Sequence, residues 1–300
     1  MKQFFRVATL AAVAVVSVVL QAEDKHIVLI AGPKSHPPGM HEFRAGCLLF
    51  QKCLAEVPGI KVDVYSNGWP TKVEGDKTVD DNSVFGQAAA VLIYADGGPG
   101  HPALKPGRIE ILDKVAARGA GLGFAHYGVE IPVGPGGDAL KRWVGGHYEN
   151  LYSVNPMWSP NYRTFPEHPI THGVKPFTNR DEWYFNMRWG SEIKQVTPIL
   201  TDTPSDEVRK GPYVYPAGPY PHIIAASGHQ ETMMWAFERT DGGRGFGFTG
   251  GHTHKNWGDP NQRKVMLNAL LWLAKVEVPA NGIESVVTAE DLGQNLDLKK

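Results

Sequence analysis

Short apolar runs alternate with amphipathic stretches along the first half of the chain. His26–Ala31 (HIVLIA) and Ala89–Ala95 (AAVLIYA) are continuously apolar, Lys61–Tyr65 (KVDVY) alternates, and Gly121–Ala125 (GLGFA) is a further apolar run. Between them, Met40–Val57 carries Met40, Phe43, Cys47, Phe50, Leu54 and Val57 at three- and four-residue intervals, and Gly107–Arg118 places Ile109, Leu112, Val115 and Ala116 on one face. These periods predict strands and helices respectively. The order strand, helix, strand, strand, helix, strand, with strands too uniformly apolar for a solvated face, predicts a parallel sheet covered on both sides. The expected fold class is α/β, a doubly wound and mainly parallel sheet.

The second half is less regular, and Tyr148–Tyr162 and Tyr213–His222 are rich in Pro, Tyr and Trp. Thr232–Glu238 (TMMWAFE) and Arg244–Thr249 (RGFGFT) predict an antiparallel pair added to the sheet. Asp259-Pro260 reads as the cap of a strong helix over Asn261–Val276. No repeat or linker divides the chain, so residues 23–276 are expected to form one domain. Residues 277–300 are polar and broken by Pro and Gly, and are expected to pack along its surface.

Composition narrows the function classes. Gly 34 and Pro 23 among 300 residues call for many shaped loops and disfavour bundles and coiled coils. With 42% hydrophobic and 20% charged residues, wholesale disorder is excluded. Lys+Arg 30 against Asp+Glu 31 leaves no basic field for a nucleic-acid backbone. Lys2 and Arg6 precede the apolar stretch Ala8–Leu20, and Gln21-Ala22 then meets Glu23-Asp24-Lys25, the layout of a secretory signal peptide over residues 1–22. The apolar stretch is shorter than the ~20 residues of a membrane span. The expectation is a periplasmic or secreted protein with no span after cleavage. Removing Lys2 and Arg6 from the 30 basic residues leaves 28 against 31 acidic ones. Cys47 and Cys53 lie six residues apart on the first predicted helix, about 9 Å along its axis, too far for a disulfide, and read as buried free thiols.

Three loops, Gly32–His41, Asp96–His101 and His126–Glu130, follow predicted strands, where doubly wound sheets collect their chemistry. They hold His36, His41 and His126, and a late strand delivers His252 and His254, two apart and expected to converge on one point. Neutral imidazole is the commonest ligand for zinc-like ions, and a catalytic metal needs about three protein ligands. Asp96, Glu130 and the pair Asp181-Glu182 are carboxylates suited to proton transfer or to holding the second nitrogen of a histidine. Trp183, Tyr184 and Trp257 are among the aromatic residues that could offer flat platforms to a sugar ring. The alternatives are hydrogen-bonded loop histidines and ordinary core aromatics.

Pro38-Gly39-Met40-His41, Gly121–His126 (GLGFAH), His168-Pro169-Ile170-Thr171 with Gly173, Asp181–Tyr184 (DEWY) and Gly250-Gly251-His252 together resemble the trehalose-utilisation (ThuA-like) family. The resemblance runs from about His26 to Val276, and Val278–Ser285 is similar to its exported members. It implies a flavodoxin-like fold of the class I glutamine amidotransferase type. Those amidotransferases carry a cysteine nucleophile on the turn after a central strand. Here that turn carries His126, and with both cysteines on the first helix a cysteine-based amidotransferase or peptidase is excluded. The resemblance further implies a divalent metal, zinc being expected, on His41, His126 and His252. It implies a place in sugar metabolism beside a companion oxidoreductase that makes keto-sugars. Gly-His-Thr-His stands where a carboxylate often follows the first histidine, which leaves the catalytic acid and base open among Glu182, Asp96, Glu130 and His254. Tyr127, Trp183, Tyr184, Trp257 and His36 are the candidates for holding substrate. The function expected is an exported, metal-dependent enzyme that hydrolyses or eliminates the glycosidic bond of small glycosides or keto-glycosides. The alternatives are a non-catalytic sugar-binding protein of the same fold and a metal-free hydrolase with His126 as base.

Overall fold

The computed structural model describes residues 24–299, so the expected signal peptide lies outside the described residues. Its centre is a seven-stranded sheet of β1 (Lys25–Ala31), β2 (Ile60–Tyr65), β3 (Ala88–Tyr94), β4 (Gly121–Ala125), β5 (Val196–Asp202), β6 (Glu231–Glu238) and β7 (Arg244–Phe248). The spatial order is β5-β6-β7-β4-β3-β1-β2. From β7 to β2 every neighbouring pair is parallel, whereas β6 runs antiparallel to both β7 and β5. This is the doubly wound, mainly parallel sheet with antiparallel additions.

Two layers of helix explain the apolar strands. Ile27, Leu29, Ala90, Leu92 and Tyr94 face a core shared with α1 (Phe43–Leu54) and a helix over Pro260–Leu273. Val28, Ile30, Val91 and Ile93 face the opposite core, shared with α2 (Arg108–Ala117) and α3 (Pro135–Val144). The late helix, α4 (Pro260–Leu273), starts where expected, with the Asp259 carboxylate accepting the Asn261 and Gln262 N–H groups.

Several elements depart from the sequence pattern. Helix α1 begins at Phe43 instead of Met40, because Met40 bridges Thr253 and His41 has a left-handed φ of 48°. Helix α3 opens with Pro135-Gly136-Gly137, which hides its apolar face; there a Cβ on Gly136 or Gly137 would crowd Ile131 and Leu104, or His147. Strand β5 contains Pro198, which its edge position tolerates. Cys47 is buried and Cys53 half-buried, both unpaired. The last residues bury Val278 and Ile283, form a short helix over Ala289–Gly293, and end against the loop before α1. None of the described helices is long and apolar enough to cross a membrane.

Candidate metal centre

The loops leaving the carboxyl ends of β1, β3, β4 and β7 meet at one rim of the sheet. They bring His41, Asp96, His126 and His252 together, and a two-residue strand, Asp181–Glu182, paired with Met157–Trp158, adds Glu182. His41, His126, Glu182 and His252 are all buried, and each offers a ligand atom within 4.8 Å of the others. Backbone pairing sets the loops against one another: His41 N–H donates to His252 O at 3.0 Å, and His254 N–H to Gly39 O at 2.9 Å. Like His41, His126 sits in the left-handed region, φ 53°, which turns the chain sharply at the end of β4.

Tautomers follow from the outer contacts. His41 Nδ1 lies 2.7 Å from Asp96 Oδ1 and His126 Nδ1 lies 3.0 Å from the Thr249 carbonyl, so both Nδ1 atoms carry hydrogen and donate. Their Nε2 atoms are then bare lone pairs, yet they face each other at 3.0 Å. His252 Nδ1 stands 2.9 Å from His41 Nε2 and 2.7 Å from Glu182 Oε2. One proton on His252 cannot satisfy this set, because the His41–His126 contact still joins acceptor to acceptor. Burial and the neighbouring imidazoles push the His41 and His126 pKa values far down, so neither ring supplies the missing charge by protonation. A cation between the four groups resolves the conflict. Three imidazoles and a carboxylate, with the second nitrogens held by a carboxylate and a carbonyl, are a donor set that fits a divalent metal. Tetrahedral bonds of ~2.0–2.1 Å separate ligand atoms by roughly 3.3 Å, close to the spacings found.

A further layer fixes these ligands. The buried Asp181 accepts N–H groups from Gly251 at 2.9 Å, Thr253 at 3.0 Å and Glu182 at 3.0 Å, and so shapes the loop that carries His252. Tyr94 Oη donates to Gly251 O. Asn155 Nδ2 donates to Glu182 Oε1 at 2.7 Å, leaving Oε2 for the centre. Beneath His41, Glu42 is buried and accepts Gly39 N–H at 2.9 Å, Asp297 N–H at 2.8 Å and Lys299 Nζ at 3.1 Å. Lys299 also donates to the Met40 and His41 carbonyls, so the tail holds the His41 loop from outside. Glu42, Asn155 and Lys299 sit in segments without a pattern that would mark them as parts of the site.

The structure separates the other candidates. Glu130 is half-buried near Glu182, where burial first and the Glu182 charge second push its carboxyl up to about 7. Tyr127 is half-buried with its ring 6.2 Å from that of His41, and Tyr184 Oη is 3.4 Å from His126 Nε2. His36 stacks on His41 with ring centroids 3.5 Å apart. His254 does not converge with His252. It opens a 3-10 turn after Thr253, which sends its ring away from the cluster into a buried position with neither nitrogen partnered. Trp183 and Trp257 are not platforms at the mouth. Both are fully buried; a Cβ on Gly250 would lie 2.4 Å from the Trp183 ring, and Trp257 packs on Phe50 and Phe248.

Comparison with known proteins gives the family and the fold. Residues 72–273 match the family described as trehalose utilisation (ThuA). Among solved structures, a ThuA-like protein from Bacteroides uniformis superposes with a TM-score of 0.57 at 15% identity, covering 86% of this chain and 94% of that one. At that identity the likeness concerns the fold. Among curated proteins none matches.

Proposed function

This chain belongs to the trehalose-utilisation (ThuA) family, and from that premise we propose that it is an exported, metal-dependent enzyme acting on glycosides or keto-glycosides. The observation that carries the reading is the lone-pair contact of His41 and His126 beside the Glu182 carboxylate, an arrangement that calls for a cation. His41, His126, His252 and Glu182 would hold it, and zinc suits a set of three imidazoles and one carboxylate. When bound, such an ion supplies Lewis-acid polarisation of a ketone or hydroxyl oxygen of the substrate.

The remaining work falls to the chain. Asp96 fixes the His41 tautomer and keeps Nε2 turned inward. Glu182, tied up as a ligand, is a poor base, which moves proton transfer to Glu130. A carboxyl at about 7 can hold or release a proton near neutral pH, either taking one from the carbon beside a ketone or giving one to a departing glycosidic oxygen. The half-buried Tyr127 stands beside the His41 imidazole with a phenol able to orient a substrate hydroxyl, whereas the buried Tyr184 hydroxyl reaches only His126 Nε2. Prior oxidation of a ring hydroxyl by a companion oxidoreductase would supply the ketone, and the Lys2–Ala22 leader pattern supports work outside the cytoplasm.

The test is an assay on methyl hexopyranosides with and without prior oxidation of a ring hydroxyl. Consumption of the oxidised form is expected, abolished by chelation and restored by Zn2+. Undiminished turnover by protein stripped of metal would contradict the proposal.

A further inference from the structure

From Asn295 onward, every hydrogen bond that the described tail makes to another element goes to residues 34–44, the loop that carries His41 and the first turn of α1. Arg44 Nη1 donates to Asn295 O at 3.1 Å, and Asp297 N–H to Glu42 Oε2 at 2.8 Å. Lys299 Nζ reaches Glu42 Oε1 at 3.1 Å and donates to the Met40 and His41 carbonyls. The same Oε1 accepts Gly39 N–H at 2.9 Å, so one carboxylate joins the turn before His41 to the tail. The Lys299 side chain is only 4% exposed and that of Glu42 is buried. Lysine is seldom buried without a partner. The desolvation of such a pair offsets much of its attraction, so it adds little stability while admitting one placement of the groups it joins.

Little else holds these residues. Beyond the short helix Ala289–Gly293, the side chains of Leu296 and Leu298 are exposed, and segments with few buried apolar contacts open at low free energy. The loop under them, by contrast, needs holding. His36 and His41 both take left-handed φ, 60° and 48°, which in residues other than glycine persists only where the surroundings enforce it. On one side the backbone of His252 and His254 fastens this loop, and on the other side the tail does.

We propose that residues 294–299 are a strap whose docking is coupled to the metal: Lys299 and Glu42 are positioning residues that keep the His41 loop in its ligating shape, and a cation held by His41 keeps the strap down in return. By linkage the two effects are equal, since the factor by which docking tightens the metal is the factor by which the metal tightens docking. The tail thus sets the occupancy of a centre whose ligating atoms it never touches. This inference rests on the metal reading above and adds the segment that governs it.

Two measurements on the chain from residue 23 to 300 test the coupling. Zn2+ affinity is read by chelator competition for wild type and Lys299→Met, and amide hydrogen exchange of residues 294–299 is followed in wild type with and without Zn2+. The variant should bind zinc about tenfold more weakly, and zinc should slow exchange in wild type by about the same factor, most clearly at the Asp297 N–H that Glu42 accepts. A tail that merely packs on the surface would show neither effect, and the exchange measurement needs no variant to fold. Equal zinc affinity in the two proteins, or exchange of residues 294–299 indifferent to zinc, overturns the strap and leaves the metal centre standing. Failure of wild type to bind zinc overturns both.

Discussion

Two regions build the candidate metal centre by different means. Up to α3, regular strands and helices place the loops of His41, Asp96 and His126 after strands that are neighbours in the sheet, so its winding brings these loops to one rim. Between Gly146 and His229 the chain has several two-residue strands, and it delivers Glu182 through specific contacts: Asp181 on three N–H groups, Asn155 on the carboxylate, Trp183 locked under Gly250. The loops of His41 and His126 reach the rim by topology, whereas Glu182 and the loop of His252 are set by side chains. Changes in the two regions should therefore fail differently.

The largest effect is expected in the irregular region. Trp183→Ala removes a fully buried ring and should cost about 3–5 kcal/mol of stability, read as a lower denaturant midpoint. Trp183→Phe should bind sugar as wild type does; a tenfold loss of sugar affinity with unchanged stability would return Trp183 to the mouth of the site. Next comes Glu130. Its carboxyl binds a proton more tightly folded than unfolded, so it stabilises the protein at low pH. That contribution is lost as pH rises from about 4.5 to about 7, up to about 3 kcal/mol. In metal-free protein, Glu130→Gln should flatten this fall in stability relative to wild type; identical pH profiles would remove Glu130 as the tuned acid. The smallest change is asked of the regular region. Asp96→Asn keeps the fold and should weaken zinc about 10- to 100-fold in a chelator competition, by loosening the His41 tautomer. An unchanged affinity would mean that topology alone suffices there.

The same contrast explains what was legible in the sequence. Apolar runs such as His26–Ala31 and Ala89–Ala95 can be little other than buried strands, so the sheet, and with it His41 and His126 at strand ends, follows from periodicity. Helix α3 escaped because its first turn is Pro-Gly-Gly, and β5 because Pro198 breaks its pattern. His252 was visible as a strand-end residue, but its expected convergence with His254 fails, since the chain leaves extended geometry after Thr253 and turns the second ring away. The aromatic residues misled for a related reason. Composition marks Trp183 and Trp257 as candidates for a sugar platform, and only burial shows that both are core rings. Asn155 and Lys299 act across long sequence separations through single hydrogen bonds, for which no local pattern exists.

The central claim is that the His41, His126, Glu182 and His252 cluster holds a divalent metal. It is tested most directly by elemental analysis of untagged protein purified without chelator, wild type beside His126→Ala. About one equivalent of a single transition metal, zinc by this account, is expected in wild type and less than a tenth of an equivalent in the variant. Wild-type protein that is active while holding less than a tenth of an equivalent, or a variant that retains the full complement, would contradict it.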